Sequence, residues 1–208
     1  MIGRTLLLLG LVPVAAAAEE RTYSVTIDGK PAGECVVSLR SQADGSSAVS
    51  ARIEVRTEQR PRYAYEYQGT EVWKDRRLVR SEGTGTENGQ KGGVSLAAGK
   101  DGYTLRAPTK EVTIRGEVWP TTYAMLPDLD REPLVADVLT GDVLRAKVEK
   151  VGADRVMVAS KLIPATRYRV TVGGTTTDVW YDDAKRLVRR RWTLEGRAAV
   201  LELIRVKD

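Results

Sequence analysis

The sequence predicts an all-β protein: a single antiparallel half-barrel or closed barrel with repeated hairpins and little helix. Three observations carry this. After Glu20, apolar and polar residues alternate with period two along most of the chain, the pattern of strands with one wet face. Turn signals recur at short, regular spacing, as in sandwiches and barrels. A nine-position pattern also occurs twice: Glu71-Val72-Trp73-Lys74-Asp75 leading to Arg77-Leu78-Val79-Arg80, and Asp178-Val179-Trp180-Tyr181-Asp182 leading to Arg186-Leu187-Val188-Arg189.

Taken in order, Tyr23, Val25 and Ile27 form the first face, ended by Asp28-Gly29-Lys30-Pro31, and Gly33 to Arg40 follows up to a turn at Ala43-Asp44-Gly45-Ser46. Val49, Ala51, Ile53 and Val55 alternate with Ser50, Arg52, Glu54 and Arg56. Tyr63, Tyr65 and Tyr67 then run into the first repeat. A two-residue turn at Asp75-Arg76 sets Trp73 opposite Leu78, Val72 opposite Val79 and Glu71 opposite Arg80. A four-residue loop, Asp182 to Lys185, sets Trp180 opposite Leu187, Val179 opposite Val188 and Asp178 opposite Arg189. Cross-strand pairs of this kind stabilise sheets. The two loops differ by an even number, which keeps Trp73 and Trp180 on the same face.

Further turns are expected at Glu87-Asn88-Gly89, Gly99 to Gly102, Gly152-Ala153-Asp154 and Gly173-Gly174. The last run, Val200 to Val206, is apolar on both faces until Arg205, as suits a strand inside a sheet. Between the repeats, Thr121 to Leu126 reads as a helical turn or two after Pro120, with Pro127 and Pro133 preventing a longer helix. No linker or composition shift divides residues 19–208, which read as one β-barrel-like domain.

Residues 1–18 read as a secretory signal: Arg4, the apolar run Leu6 to Val14, and Ala16-Ala17-Ala18 as the cleavage site. That run is shorter than the roughly 20 residues of a membrane span, and nothing later is long enough. A soluble, exported, periplasmic protein is expected, with an extracellular one as the alternative. Cys35 is the one cysteine; it reads as a small buried hydrophobe and forms no intrachain disulfide. The net charge of +5, one less without Arg4, is mild. Arg189-Arg190-Arg191 alternates between faces, so no coherent nucleic-acid footprint is expected.

There is no histidine, which excludes Ser-His-Asp and Cys-His arrangements and His metal sites. With one cysteine, thiolate metal sites are excluded too. No catalytic residue, metal ligand or cofactor is assigned. The acid pairs Asp182-Asp183 and Asp128/Asp130 read as solvated turn residues; a hydrolase using carboxylates alone would need two acids converging in a cleft. Gly83 to Gly89 lacks the following helix of a phosphate-binding loop and reads as a strand ending in a turn. The most informative side chains are aromatic. Tyr63, Tyr65 and Tyr67 share one strand face, and with Trp73 and Trp180 they are the candidate ligand-facing residues.

Four motifs resemble a group of exported bacterial β-proteins classed as domains of unknown function. They are Tyr23 to Gly33 (Tyr-x-Val-x-x-Asp-Gly-Lys-x-x-Gly), Glu71-Val72-Trp73, Leu139-Thr140-Gly141-Asp142 and Val179-Trp180-Tyr181-Asp182. Such proteins are similar to the half-barrel lipoprotein carriers of the periplasm, in which a curved antiparallel sheet surrounds an apolar cavity partly closed by helices. The resemblance implies a carrier-like fold and no catalytic residues, although this chain has almost no helix to form a lid. Two functions are therefore expected: a non-catalytic periplasmic binder or carrier of a hydrophobic, lipid-like or amphipathic ligand, or a cell-envelope interaction or scaffold module binding another protein through an exposed strand edge or its basic rim.

Overall fold

The computed structural model describes residues 18–58, 60–130 and 132–207. Apart from Ala18, the stretch read as an export signal lies outside them. Among the described residues there is no helix, and fifteen strands follow one another. They are β1 (Ala18–Ile27), β2 (Lys30–Ser41), β3 (Ser47–Thr57), β4 (Tyr63–Lys74), β5 (Arg77–Glu87), β6 (Gln90–Gly99), β7 (Gly102–Ala107), β8 (Lys110–Ile114), β9 (Val118–Pro120), β10 (Leu134–Ala136), β11 (Val143–Val158), β12 (Lys161–Val172), β13 (Thr175–Tyr181), β14 (Leu187–Leu194) and β15 (Arg197–Lys207).

All fifteen form one sheet, in the order β8-β7-β6-β5-β4-β3-β2-β1-β15-β14-β13-β12-β11-β10-β9. Its pairs are antiparallel except β9 with β10. The sheet is not closed, so the fold is a half-barrel with β8 and β9 as its edges. The first and last strands meet in the middle, Val25 opposite Leu201, an interior position that suits the apolar run at Val200. Six connections are two-residue turns with both residues at positive φ: Asp28-Gly29, Asp75-Arg76, Asn88-Gly89, Ala159-Ser160, Gly173-Gly174 and Glu195-Gly196. This type I′ geometry matches the twist of the strands it joins.

The sheet rolls up: Arg77 at the start of β5 ion-pairs with Glu117, just ahead of β9, although the two strands stand far apart in the sheet order. Residues 118–142 cross the inside of the roll. Trp119, fully buried, packs edge-on to Tyr123 at 4.8 Å, and Tyr181 donates to the Tyr123 carbonyl at 2.7 Å. The helical turn expected at Thr121 to Leu126 does not form. Backbone partners lie across the segment instead, with Thr121 N–H bonded to Ala136 O and Leu134 N–H to Glu117 O. The glycines of β5 and β6 receive this segment. Gly93 N–H bonds to Leu139 O, and a Cβ on Gly92 would stand 2.5 Å from that oxygen.

Two expected turns and pairings are corrected. Gly152-Ala153-Asp154 lies inside β11, where Gly152 follows a bulge at Val151; a glycine in a strand marks such irregularities. Beyond it β11 swings across toward β14 and β15, burying Val156. In the first repeat Trp73 does oppose Leu78, but Val79 is bulged out, so Val72 opposes Arg80 and Glu71 opposes Ser81. In the second repeat Tyr181, not Trp180, opposes Leu187; Trp180 opposes Arg189, Val179 opposes Arg190 and Asp178 opposes Arg191. Asp182 and Arg186 exchange hydrogen bonds, leaving a three-residue loop with Lys185 at φ 60°. Loops of two and three residues differ by an odd number, and Trp180 changes face.

Candidate functional site

One cross-strand row on the inner face leaves a gap. It runs Glu87, Tyr65, Val55, Gly33, Val25, Leu201, Arg190 across β5, β4, β3, β2, β1, β15 and β14. At its centre Gly33 contributes no side chain, and a Cβ there would stand 1.9 Å from Glu54 O. Over this row lies a cavity of about 210 Å³. Val25, Ile53, Val55, Leu194 and Leu201 form its apolar floor, and the crossing segment covers it with Thr121, Thr122, Asp137, Val138 and Leu139. Tyr63, Tyr65, Glu87, Arg190 and Trp192 complete the wall.

The polar groups are unequally satisfied. Tyr63 donates to Glu87 Oε1 at 2.9 Å. Asp137 Oδ1 accepts from the backbone of Leu139 and Thr140 at 2.9 and 2.8 Å. The Arg190 guanidinium has its carbon over two rings, 4.7 Å from the Tyr123 centroid and 4.5 Å from that of Trp192. Its Nη1 donates to Thr121 O at 2.9 Å, while its buried Nε has no acceptor among the described residues. Tyr65 makes no side-chain hydrogen bond with them either. Burial and the Asp137 charge push the Tyr65 phenol up, against the pull of Arg190, so at neutral pH it is a protonated donor. Burial pushes the Cys35 thiol up to about 12, which keeps it from being a thiolate nucleophile.

The five expected aromatic residues do not converge. Tyr63 and Tyr65 stand on the cavity wall. Tyr67 shares their face, but its ring covers Gly69 and Gly83, where a Cβ would come within 2.1 and 2.4 Å of its Oη. Trp73 is buried farther along β4 and donates to Glu71 Oε2 at 2.7 Å. Trp180 is on the opposite face, flanked by Arg167 and Arg189 at 5.2 and 5.7 Å, with its Nε1 on Asp154 Oδ2 at 2.8 Å. It is therefore removed from the cavity. Asp182, read as a solvated turn acid, is buried and accepts from Arg186 N and Nε at 2.9 and 2.7 Å.

The family model for a domain of unknown function, DUF6134, matches residues 23–204. The chain belongs to this family. Among solved structures it is similar to a β-barrel-like protein of domain of unknown function DUF1849 from Brucella abortus. The TM-score is 0.66 at 11% identity, covering 91% of this chain and 97% of that one. At that identity the likeness shows the fold alone. A match to PNGF-II, at TM-score 0.42 and 9% identity, covers 93% of this chain but 28% of that one and carries no argument. No curated protein matches the sequence.

Arg190, Glu87, Asp137 and Trp192 line the cavity without being among the expected residues. For Arg190 a signal was present. Positions 190, 192 and 194 alternate with the polar 189, 191, 193 and 195, which puts Arg190 on the same face as Trp192 and Leu194. Asp137 has no such signal, because it reaches the cavity from an irregular segment whose path depends on distant contacts.

Proposed function

We propose that the protein is an exported, non-catalytic binder of a small amphipathic ligand, working in the periplasm. The observation that carries this reading is Tyr65, whose free hydroxyl faces a cavity with an apolar floor. That combination holds an apolar body by burial and orients it by a few polar groups. The cavity's 210 Å³ lies below the ~300–1,000 Å³ of pockets for drug-sized molecules. The ligand is then lipid-like only in having an apolar chain or ring, and a two-chain lipid is too large. Native mass spectrometry of protein purified gently from its own host tests this. A small bound species that is released on denaturation and missing from folded Tyr65→Ala supports the reading; an apo mass that persists after small amphiphiles are added overturns it.

A second reading, an envelope interaction module, is favoured by the open edge at β8, where Val112 is exposed. A strand added there would use edge backbone groups. Crosslinking from position 112 in intact cells tests it: a discrete protein adduct supports the reading and its absence removes it.

A further inference from the structure

A guanidinium is a planar fork of five donors. In Arg190 the guanidinium carbon lies over the rings of Tyr123 and Trp192, and Nη1 is taken by the Thr121 carbonyl. Nε and Nη2 remain. Nε is buried with no acceptor, and Nη2 makes no hydrogen bond with the described residues. Nε is closed off from the cavity, so Nη2 is the donor open to a ligand, and a carboxylate oxygen can take one charge-assisted hydrogen bond there. The acids around the cavity do not supply that partner: among the described residues neither Glu87, which accepts from Tyr63, nor Asp137, which accepts from its own turn, ion-pairs with Arg190. The unmet need at this site is for an acceptor.

We infer that the ligand is a small monocarboxylic acid, its carboxylate held by Arg190 Nη2 and the Tyr65 hydroxyl. Its apolar body lies on Val25, Val55 and Leu201. This rests on the cavity being a ligand site, as proposed above. A cavity of about 210 Å³ suits a body made of one short aliphatic chain or a single ring. The two rings over which the guanidinium lies also suit arginine better than lysine, because a planar, weakly hydrated guanidinium stacks on aromatic faces.

Isothermal titration of the full chain with octanoate, octanol and octylammonium at neutral pH separates the possibilities, because the three probes share one chain and differ in the head. Octanoate is expected to bind about tenfold or more tightly than octanol, with octylammonium the weakest. In Arg190→Gln the preference for octanoate over octanol should disappear. Because that is a ratio measured on one variant, partial loss of fold lowers both affinities and leaves it readable. If octanol binds as tightly as octanoate, or octylammonium binds best, the carboxylate inference is overturned and the binding reading stands. If none of the three binds, both fall.

Discussion

The two repeats differ in what their tryptophans do. Trp73 and Trp180 sit in nearly the same local sequence, and each is 2% exposed. Trp73 points into the roll and supplies a hydrogen bond to Glu71, a buried carboxylate that also accepts from Thr122 of the crossing segment. Trp180 points the other way, between two arginines and under the returning half of β11, and its partner Asp154 is exposed. One loop residue separates these outcomes. The first hairpin closes with two residues and the second with three, and an odd difference exchanges the faces of a strand. Equal burial therefore conceals unequal roles: one tryptophan ties the sheet to the segment that covers the cavity, and the other seals a satellite region on the far face.

Mutation can sharpen that contrast. Trp73→Ala should be the more damaging truncation, costing about 3–5 kcal/mol and reducing the donors to Glu71. Trp180→Ala should cost less, because Arg167 and Arg189 can close over the space; chemical denaturation of the two variants gives the order, and equal losses would break the comparison. Trp73→Phe keeps most of the bulk but removes one of Glu71's donors, and should cost about 1–3 kcal/mol. Trp180→Phe should cost under about 1 kcal/mol, since water can replace the indole at the exposed Asp154.

The acids of the two hairpins should respond to pH in opposite directions. Burial raises Glu71 above the ordinary carboxylate range, outweighing the Thr122 and Trp73 hydrogen bonds that lower it. Its contribution to stability is therefore present below the unfolded value of about 4.3 and is lost as pH rises through the folded one. Burial pushes Asp178 up as well, but hydrogen bonds from Arg167 and Arg169 outweigh it and hold the group low. Its contribution is present above about 3.9 and is lost as pH falls through its folded value. Urea midpoints from about pH 3 to pH 8 should show Glu71→Gln flattening the decline toward neutral pH. Asp178→Asn should remove part of the decline in strong acid.

The smallest effects lie in the loops. Lys185 holds φ 60° without being glycine, so Lys185→Gly should stabilise by about 1 kcal/mol. Arg76, at φ 63°, also donates to Pro127 O at 2.8 Å. Arg76→Gly should gain less, because that bond is lost. Calorimetric melting temperatures of the two variants decide the order.

Much of this architecture was legible in the chain. The all-β class, the position of the last strand inside the sheet, the turn at Asn88-Gly89 and the shared face of Tyr63, Tyr65 and Tyr67 all follow from alternation and turn chemistry. So does the split of Arg189 and Arg191 from Arg190. The bulges at Val79, Val151 and Val188 were not legible, because a valine that belongs to the ladder and one that is squeezed out of it have the same local preference. The path of residues 121–142 was hidden for a related reason. Its carbonyls find donors on β6 and β14, in Gly93 and Arg190, strands that no local pattern connects to it.

By itself the sequence determined which residues of each strand point together, because a pleated strand alternates its side chains whatever its neighbours do. Only the tertiary structure decided which face of one strand meets which face of the next. That depends on loop length and bulges, where a single residue exchanges inside for outside. It placed Trp73 in the core and Trp180 behind it, and it left Arg190 and Trp192, rather than either of those tryptophans, on the cavity wall with Tyr65.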